Sequence, residues 1–186
     1  MPIKTPICDL GKKAENFELK STHNKIVTLN EVKGENGTLI MFICNHCPYV
    51  KAVIKDIVQD CKNLEKFGIK SVAICANDSV NYPEDSFKNM ILFADKNQFS
   101  FPYLNDETQE IAKTYDAVCT PDFFGYNKNL ELQYRGRLRE LKNLVPVREG
   151  ESDLLLAMKQ IAETDKGPNL ENQIPSAGCS IKWKNN

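Results

Sequence analysis

Two cysteines in this sequence stand where a thiol could be reactive. Cys44 and Cys47 form a Cys-Asn-His-Cys segment, and Pro48 follows it directly. Proline is favoured at the first position of a helix, where its missing N–H would have no partner anyway. Pro48 in that position makes Cys47 the N-cap, facing the free N–H groups and the positive end of the helix. Helix N-termini lower a cysteine pKa from about 8.5 to between roughly 3.5 and 7.5. We therefore predict that Cys47 has the lowest thiol pKa and acts as the nucleophile.

The same loop holds a second thiol and an imidazole. Cys44 lies three residues before Cys47, close enough to resolve a disulfide or sulfenic acid there if the loop bends. His46 adjoins Cys47 and, when protonated, would favour its thiolate. The alternative hypothesis is that both cysteines are small apolar residues that fill the end of a strand.

Metal binding is a further hypothesis for this loop, because Cys44, His46 and Cys47 offer the soft ligands that copper and zinc accept. The only other histidine is His23, and no second CxxC or HxxxH pattern completes a ligand set. We therefore predict no metal site and no cofactor.

The other cysteines are isolated in the sequence. Cys61 falls on the apolar stripe of a predicted helix and Cys75 inside a predicted buried strand, so both are expected to be unreactive core residues. Cys119 precedes Thr120 and Pro121 at the start of a later hairpin. The cis form of an X-Pro bond costs only about 0.5–1 kcal/mol, so this bond is a candidate for it.

The composition excludes several classes of protein. The 24 lysines and arginines are balanced by 25 aspartates and glutamates, so no basic surplus indicates nucleic-acid binding. The longest apolar run, residues 39–44, is far shorter than the roughly 18 residues that span a membrane. Residues 1–13 lack the apolar segment of a signal peptide. We expect a cytoplasmic protein, and in that reducing compartment clustered thiols are usually catalytic or metal-binding.

The hydrophobic pattern predicts the elements that position Cys47. Residues 38–43 form a continuous apolar run, which suits a strand buried on both faces of a parallel sheet. From residue 48 to residue 67, apolar side chains recur at three- and four-residue steps, and Gly68 is suited to end this helix. Cys47 is therefore expected at the junction of a buried strand and a long helix.

The remaining pattern predicts one α/β domain over residues 1–186, with a parallel half and an antiparallel half. The tail, residues 169–186, has no regular periodicity. The other predicted strands are an early hairpin (16–29), a buried strand (69–76), a short strand (101–104) and a late hairpin (122–134). The other predicted helices cover residues 85–96, 107–115 and 152–167.

The sequence resembles the thioredoxin-like redoxins of the alkyl-hydroperoxide reductase/thiol-specific antioxidant superfamily, which are mostly bacterial cytosolic proteins. The segments that carry the resemblance cover nearly the whole chain, at residues 41–52, 77–86, 101–124, 134–138 and 175–184. The resemblance implies a thioredoxin-like fold, in which helices flank a central mixed sheet. Residues 1–37 would then be an N-terminal extension with a β-hairpin.

The resemblance also implies roles for individual residues. Aligned with the thioredoxin motif, Cys47 takes the place of the nucleophile and Val50 that of its resolving cysteine. Pro121 matches the cis-proline that packs beside the nucleophile and pairs its backbone with a bound substrate chain. Pro48, Thr120 and Pro121 are therefore the expected substrate-binding residues, and Cys119 is expected near Cys47.

One departure from the family concerns the peroxiredoxin motif PxxxTxxC, in which a hydroxyl binds the peroxide. Cys44 stands at the threonine position and Ile40 at the proline position. The predicted function is a thiol–disulfide oxidoreductase or a peroxiredoxin-like antioxidant protein. Cys47 attacks a disulfide or a peroxide, and Cys44, Cys119 or Cys179 resolves the product.

The expected partners are a protein or small-molecule disulfide or peroxide, and a thiol reductant of the thioredoxin or glutathione type. A homodimer is compatible with the sequence, whereas nucleic-acid and membrane partners are not expected. The alternative functions are a copper-chaperone-like metal-binding protein and a non-catalytic binding module of the same fold.

Other polar and aromatic residues have structural interpretations. We expect the arginines at 135, 137 and 139 to lie on a solvated hairpin edge, and Ile181 and Trp183 to anchor the tail on the core. The aspartates at 78, 85 and 95 are expected to be helix caps and surface charges.

Overall fold

The computed structural model describes residues 2–185. Its strands are β1 (Ile3–Lys4), β2 (Glu18–Ser21), β3 (Ile26–Thr28), β4 (Gly37–Phe42), β5 (Ile69–Cys75), β6 (Tyr103–Asn105), β7 (Cys119–Thr120), β8 (Asp122–Asn127), β9 (Leu132–Tyr134), β10 (Leu141–Lys142), β11 (Val145–Pro146) and β12 (Ala177–Ser180). Its helices are α1 (Leu29–Val32), α2 (Pro48–Glu65), α3 (Phe87–Lys96), α4 (Glu110–Thr114) and α5 (Asp153–Thr164). None of the helices in this range is both long enough and apolar enough to cross a membrane.

A mixed sheet forms the centre of the molecule, with the strand order β3-β2-β6-β5-β4-β8-β9. β4, β5 and β6 run parallel, and the outer strands are antiparallel to their neighbours. Every residue of β4 is buried, because helices or loops cover both faces of the sheet there. In β4, Ile40 is paired with Val72 on one side and Phe124 on the other. The predicted fold class, a thioredoxin-like mixed sheet flanked by helices, is confirmed.

Two antiparallel hairpins extend this sheet, as the sequence predicts. The early hairpin, β2–β3, joins the sheet because Ser21 of β2 pairs with Leu104 of β6. The late hairpin, β8–β9, turns at Asn127, whose Oδ1 accepts hydrogen bonds from the N–H groups of Asn129 and Glu131, both at 3.0 Å. Asparagine favours such turns because its short amide bonds to backbone two residues ahead.

Helix α2 packs its apolar stripe against the central sheet. Val50, Ile57 and Leu64 on that stripe are completely buried, and burial stabilises the fold by about 1.5–3 kcal/mol for each such side chain. The chain turns away after the helix at Gly68, where φ is +73°. A Cβ there would lie 2.7 Å from Nδ2 of Asn36. Both the positive φ and this close contact therefore favour glycine at the turn.

The tail contains a strand that the sequence does not predict. β12 is the middle strand of a small sheet, antiparallel to β1 on one side and to β7 on the other. Ile181 beyond it is buried as expected. Trp183 is 39% exposed, and Nζ of Lys113 lies 5.9 Å from the centroid of its ring.

Arg135 is not on a solvated edge, which corrects the sequence-based prediction. It is buried, and its guanidinium donates to both carboxylate oxygens of Asp122, at 2.9 and 3.3 Å, and to the Asp116 carbonyl at 2.7 Å. Burial raises the pKa of Asp122 to about 6, and the hydrogen bonds from Arg135 oppose that rise. The more exposed Arg137 and Arg139 form ion pairs with carboxylates at 2.7 and 2.9 Å. Arg135 and Asp122 therefore form a buried ion pair, whereas Arg137 and Arg139 form separate ion pairs nearer to the surface.

Candidate functional site

Cys47 is the N-cap of α2 and Pro48 is its first residue, as predicted. The parallel strand β4 delivers the chain to this end of the sheet, and the loop after it turns into the helix. The Cys47 side chain is completely buried, with its Sγ 3.1 Å from the carbonyl oxygen of Thr120. Pro48 is exposed, whereas Thr120 and Pro121 are buried. The Thr120–Pro121 peptide bond is cis, as the resemblance implies.

The surroundings of Cys47 stabilise its thiolate and lower its pKa to about 5. The largest cause is a hydrogen bond from the thiol of Cys44, which outweighs the opposing effect of burial. The N–H of Val50 in the first turn of α2, the hydroxyl of Thr120 and the N–H of Cys179 lower the pKa further. The sulfur makes no hydrogen bond of ordinary cap geometry, so the helix contributes through the orientation of its N–H groups.

Cys47 therefore has the lowest thiol pKa in the chain, as predicted. Burial raises the pKa of Cys8, Cys61, Cys75 and Cys119 to about 12 and that of Cys179 to about 11. The predicted core positions of Cys61 and Cys75 are confirmed.

Cys44 is the proton donor of this pair. Its thiol pKa is raised far above the ordinary value, first by the hydrogen bond to Cys47 and then by burial. Cys44 Sγ also lies 3.3 Å from the hydroxyl oxygen of Thr120. Thr120 thus contacts Cys44 through its side chain and Cys47 through its carbonyl. The same interaction raises the thiol pKa of Cys44 and lowers that of Cys47, which favours the thiolate form of Cys47.

His46 does not support the thiolate in the way that the sequence suggests. Its Nδ1 lies 2.7 Å from Oδ2 of Asp85, and its ring stacks on Tyr82 at 5.9 Å between centroids. Asp85 also accepts from the N–H of Asn45 and the amide of Asn77, both at 2.7 Å. This buried carboxylate fixes the loop before Cys47.

The interpretation of Asp85 as a surface charge or helix cap is therefore wrong, since it is 1% exposed. Asp78 is also buried and accepts hydrogen bonds from its own loop, whereas Asp95 is exposed as expected. No spacing in the sequence singles out Asp85, because its partners come from residues 45–46 and 77.

Within residues 2–185, potential metal-ligating atoms of Cys44, His46 and Asp85 lie within 4.8 Å of one another. Both Asp85 oxygens and Nδ1 of His46 already take part in hydrogen bonds, and the Cys44 thiol is hydrogen-bonded to its neighbours. These groups satisfy one another without an ion. This group contains Asp85, whereas the metal hypothesis drawn from the sequence named Cys47 as the third ligand.

The other predicted cysteine of the site, Cys119, lies on β7 directly before Thr120. Its Sγ is 3.8 Å from the carbonyl oxygen of Pro121, and the charge of Cys47 is close enough to raise its pKa slightly. Successive side chains of a strand point to opposite faces, so Cys119 points away from the face on which Thr120 presents its hydroxyl.

A cavity of about 260 Å³ lies beside Pro121, between the start of α2 and the tail. Its lining is mainly apolar and includes Tyr49, Phe123, Leu138 and Pro175, and the cationic side chains of Lys4, Arg137 and Arg139 also line it.

The fold and the site are those of a thioredoxin-like redoxin. Helices flank a mixed sheet, Cys47 is the N-cap at a strand–helix junction, and a cis-proline segment lies beside it. The chain belongs to the AhpC/TSA family, whose model matches residues 10–140. Membership of this family indicates thiol-based redox chemistry.

Two solved structures are similar over nearly their whole length. An uncharacterized conserved protein from Geobacillus kaustophilus is 41% identical, with a TM-score of 0.93 over 99% of this chain and 97% of that one. A hypothetical protein from Sinorhizobium meliloti 1021 is 30% identical, with a TM-score of 0.89 over 97% and 98%.

The fold is also shared with a more distant protein. Peroxidoxin BcpB from Mycobacterium tuberculosis is 14% identical, with a TM-score of 0.56 over 68% of this chain and 83% of that one. Among curated proteins, none matches this chain.

Proposed function

We propose that this protein is a thiol–disulfide oxidoreductase in which Cys47 attacks a small-molecule disulfide. The observation that carries this proposal is the position of Cys47 at the N-cap of α2, against the carbonyl of Thr120 before the cis-proline, in surroundings that lower its thiol pKa. A lowered pKa favours the thiolate near neutral pH, and the thiolate is the form that attacks a disulfide sulfur. Cys44 holds the proton that stabilises it.

A small disulfide suits this site better than an extended protein chain. A protein substrate that pairs with the backbone at Thr120 needs a free strand edge there, but β12 already pairs with that edge. Cys47 is completely buried, and Cys179 beside it is the only partly exposed cysteine within residues 2–185. A small molecule needs only a local opening at Cys179. Pro48, Thr120 and Pro121 would border that opening.

Peroxide is the weaker substrate in this proposal, because the family's peroxide-binding hydroxyl is replaced by Cys44. A thiol is a weak hydrogen-bond donor. Loss of one aligned donor in an organised site costs about 2.7–4 kcal/mol, or roughly 10²–10³ in rate. Disulfide exchange depends less on such a donor, since it requires a thiolate and a suitable leaving thiol.

We further propose that the chain is a single-domain bacterial protein that acts in the cytoplasm. The seven free cysteines suit a reducing compartment, and the bacterial sources of the similar structures support a bacterial origin. A thiol reductant of the glutathione or thioredoxin type returns the oxidised protein to the thiol form. We also predict that the protein acts as an antioxidant and forms a homodimer.

The test compares second-order rates of reaction with hydroxyethyl disulfide and with hydrogen peroxide at pH 7. Cys47→Ser serves as the blank and Cys8→Ala, which removes a buried thiol from the other face of the sheet, as the matched control. We expect disulfide reduction that depends on Cys47, and a peroxide rate roughly 10²–10³ below that of a peroxidase with the hydroxyl. Disulfide reduction that survives in Cys47→Ser would contradict the proposal.

A further inference from the structure

Cys179 lies directly opposite Thr120, whose carbonyl oxygen contacts the Cys47 sulfur. β12 runs antiparallel to β7, with Cys179 opposite Thr120. Residues directly opposite in an antiparallel pair present their side chains on the same face, with Cβ atoms about 4.5–5.5 Å apart. Thr120 contacts Cys44 through its hydroxyl oxygen at 3.3 Å, and its backbone carbonyl oxygen lies 3.1 Å from the Cys47 sulfur. From this juxtaposition we propose that Cys179 is the resolving cysteine, which forms a disulfide with Cys47 after the attack on substrate.

This inference rests on the proposed function, and the proximity of the two residues supports it. Cys179 lies close enough to the Cys47 sulfur for its N–H to lower the pKa of Cys47, while Cys47 adds to the rise that burial causes in the pKa of Cys179. Cys179 also packs against the apolar cluster that contains Cys47. A disulfide between them needs no long movement of the chain.

The strand that carries Cys179 is held firmly in place. A Cβ on Gly178 would lie 2.0 Å from the carbonyl oxygen of Thr120, so only glycine permits this approach. On one side of Cys179, Ser176 Oγ donates to the Pro121 carbonyl at 2.7 Å. On the other side, the Ile181 N–H donates to the carbonyl of residue 118 at 3.1 Å. These contacts hold β12 against β7 and keep Cys179 opposite Thr120.

Exposure favours Cys179 over Cys44 as the resolving thiol. A resolving thiol must lose its proton, and burial opposes the formation of a thiolate. Cys44 is 1% exposed, whereas Cys179 is partly exposed, so water can accept its proton. The charge of Cys47 also raises the pKa of Cys179, and this effect ends once Cys47 is part of a disulfide.

Cys119 is less well placed, because it neighbours Thr120 on the same strand and therefore points to the opposite face. Its thiol is directed at the Pro121 carbonyl. The geometry therefore gives the three thiols different roles: Cys44 stabilises the nucleophile, Cys179 resolves, and Cys119 takes no part.

The reaction balances as two successive thiol–disulfide exchanges. The Cys47 thiolate attacks one sulfur of the substrate disulfide, forms a mixed disulfide and releases the first substrate thiolate, which takes a proton from water. Cys179 loses its proton to water and attacks the Cys47 sulfur, which releases the second substrate thiolate. The substrate gains two electrons, and the protein is left with a Cys47–Cys179 disulfide that an external thiol reductant opens.

The test uses 4,4′-dithiodipyridine, whose leaving group absorbs light, in slight excess over the reduced full-length protein. The fast phase in the native protein should release about two leaving groups per chain, because resolution expels the second. Cys179→Ser and Cys179→Ala should release about one and keep a mixed disulfide in the intact mass. Cys119→Ser, the matched control, should still release about two.

Peptide mapping of the native protein supplies a readout that does not depend on any variant. Trypsin places Cys47 in residues 34–51 and Cys179 in residues 167–182, so the predicted disulfide links these two peptides. A disulfide within residues 34–51, a link to residues 114–128, or an unresolved mixed disulfide at Cys47 would overturn the role of Cys179 while leaving Cys47 as the nucleophile. A Cys47→Ser protein that reacts like the native one would instead refute the proposed function.

Discussion

The role of Cys44 as proton donor predicts that its removal raises the pKa of Cys47. Cys44→Ala deletes the largest of the effects that lower this pKa and leaves the contacts from Val50, Thr120 and Cys179 in place. Cys44→Ser keeps a hydroxyl donor at the same position. The two variants therefore separate the loss of a hydrogen bond from the loss of a side chain.

The expected size of the change follows from the strength of the hydrogen bond. The surroundings of Cys47 lower its thiol pKa to about 5, and each pKa unit corresponds to about 1.4 kcal/mol. A hydrogen bond to a charged group contributes about 1.5–3 kcal/mol, which amounts to about 1–2 units. Cys44→Ala should therefore have a Cys47 pKa of about 6–7, and Cys44→Ser a value between that and the native one.

The assay is the rate of alkylation by iodoacetamide as a function of pH, supported by the ultraviolet absorbance of the thiolate. The midpoint of the rate profile should move to higher pH in Cys44→Ala. Cys119→Ala, which removes an equally buried thiol that does not bond to Cys47, should shift the midpoint by less than about 0.5 unit. If the midpoint in Cys44→Ala stays at the native value, Cys44 does not stabilise the Cys47 thiolate and this reasoning fails.

Three further predictions concern stability. Asp60 accepts a hydrogen bond from Ser152, but burial raises its pKa to about 6. The folded state therefore binds this proton more tightly than the unfolded state, and the free energy of unfolding falls as the pH rises from about 4 to about 6. Asp60→Asn should remove that part of the slope in urea titrations, and an unchanged slope would contradict it. Gly178→Ala forces a Cβ against the Thr120 carbonyl and should lower the free energy of unfolding by about 1–3 kcal/mol; a native urea midpoint would argue against a closely packed β12. Asp85→Ala leaves buried donors unpaired and should cost at least about 1–3 kcal/mol, a loss that the same titration measures against an exposed control, Asp95→Ala.

The parts of the fold that sequence could predict are those encoded by local pattern. The apolar run in β4 and the stripe of α2 specify their own burial, because period and length distinguish a buried strand from an amphipathic helix. Pro48 marks the helix start, and from that start alone Cys47 is identified as the N-cap. The N-cap position of Cys47 was therefore predictable without any knowledge of the tertiary structure.

The remainder of the site depends on contacts between distant segments. β12 has no periodic pattern and becomes a strand because β1 and β7, far away in sequence, pair with it. Asp85 looks like any acidic residue at the start of a helix until the fold buries it against Asn45 and His46. Arg135 likewise gives no local signal of its buried partner, Asp122. Such pairings are decided by tertiary packing, which outweighs local preference.

The central claim, that Cys47 is the nucleophile, is tested most directly by the order in which the seven thiols react. Reduced protein is treated with limiting iodoacetamide at pH 6 and quenched at intervals. Mass spectrometry of tryptic peptides then gives the modified fraction at each cysteine, with fragmentation separating Cys44 from Cys47 within residues 34–51. Cys47 should be alkylated first, and its replacement by serine should abolish the fast phase. Faster alkylation of Cys179, which is more exposed, or of any other cysteine would contradict the account.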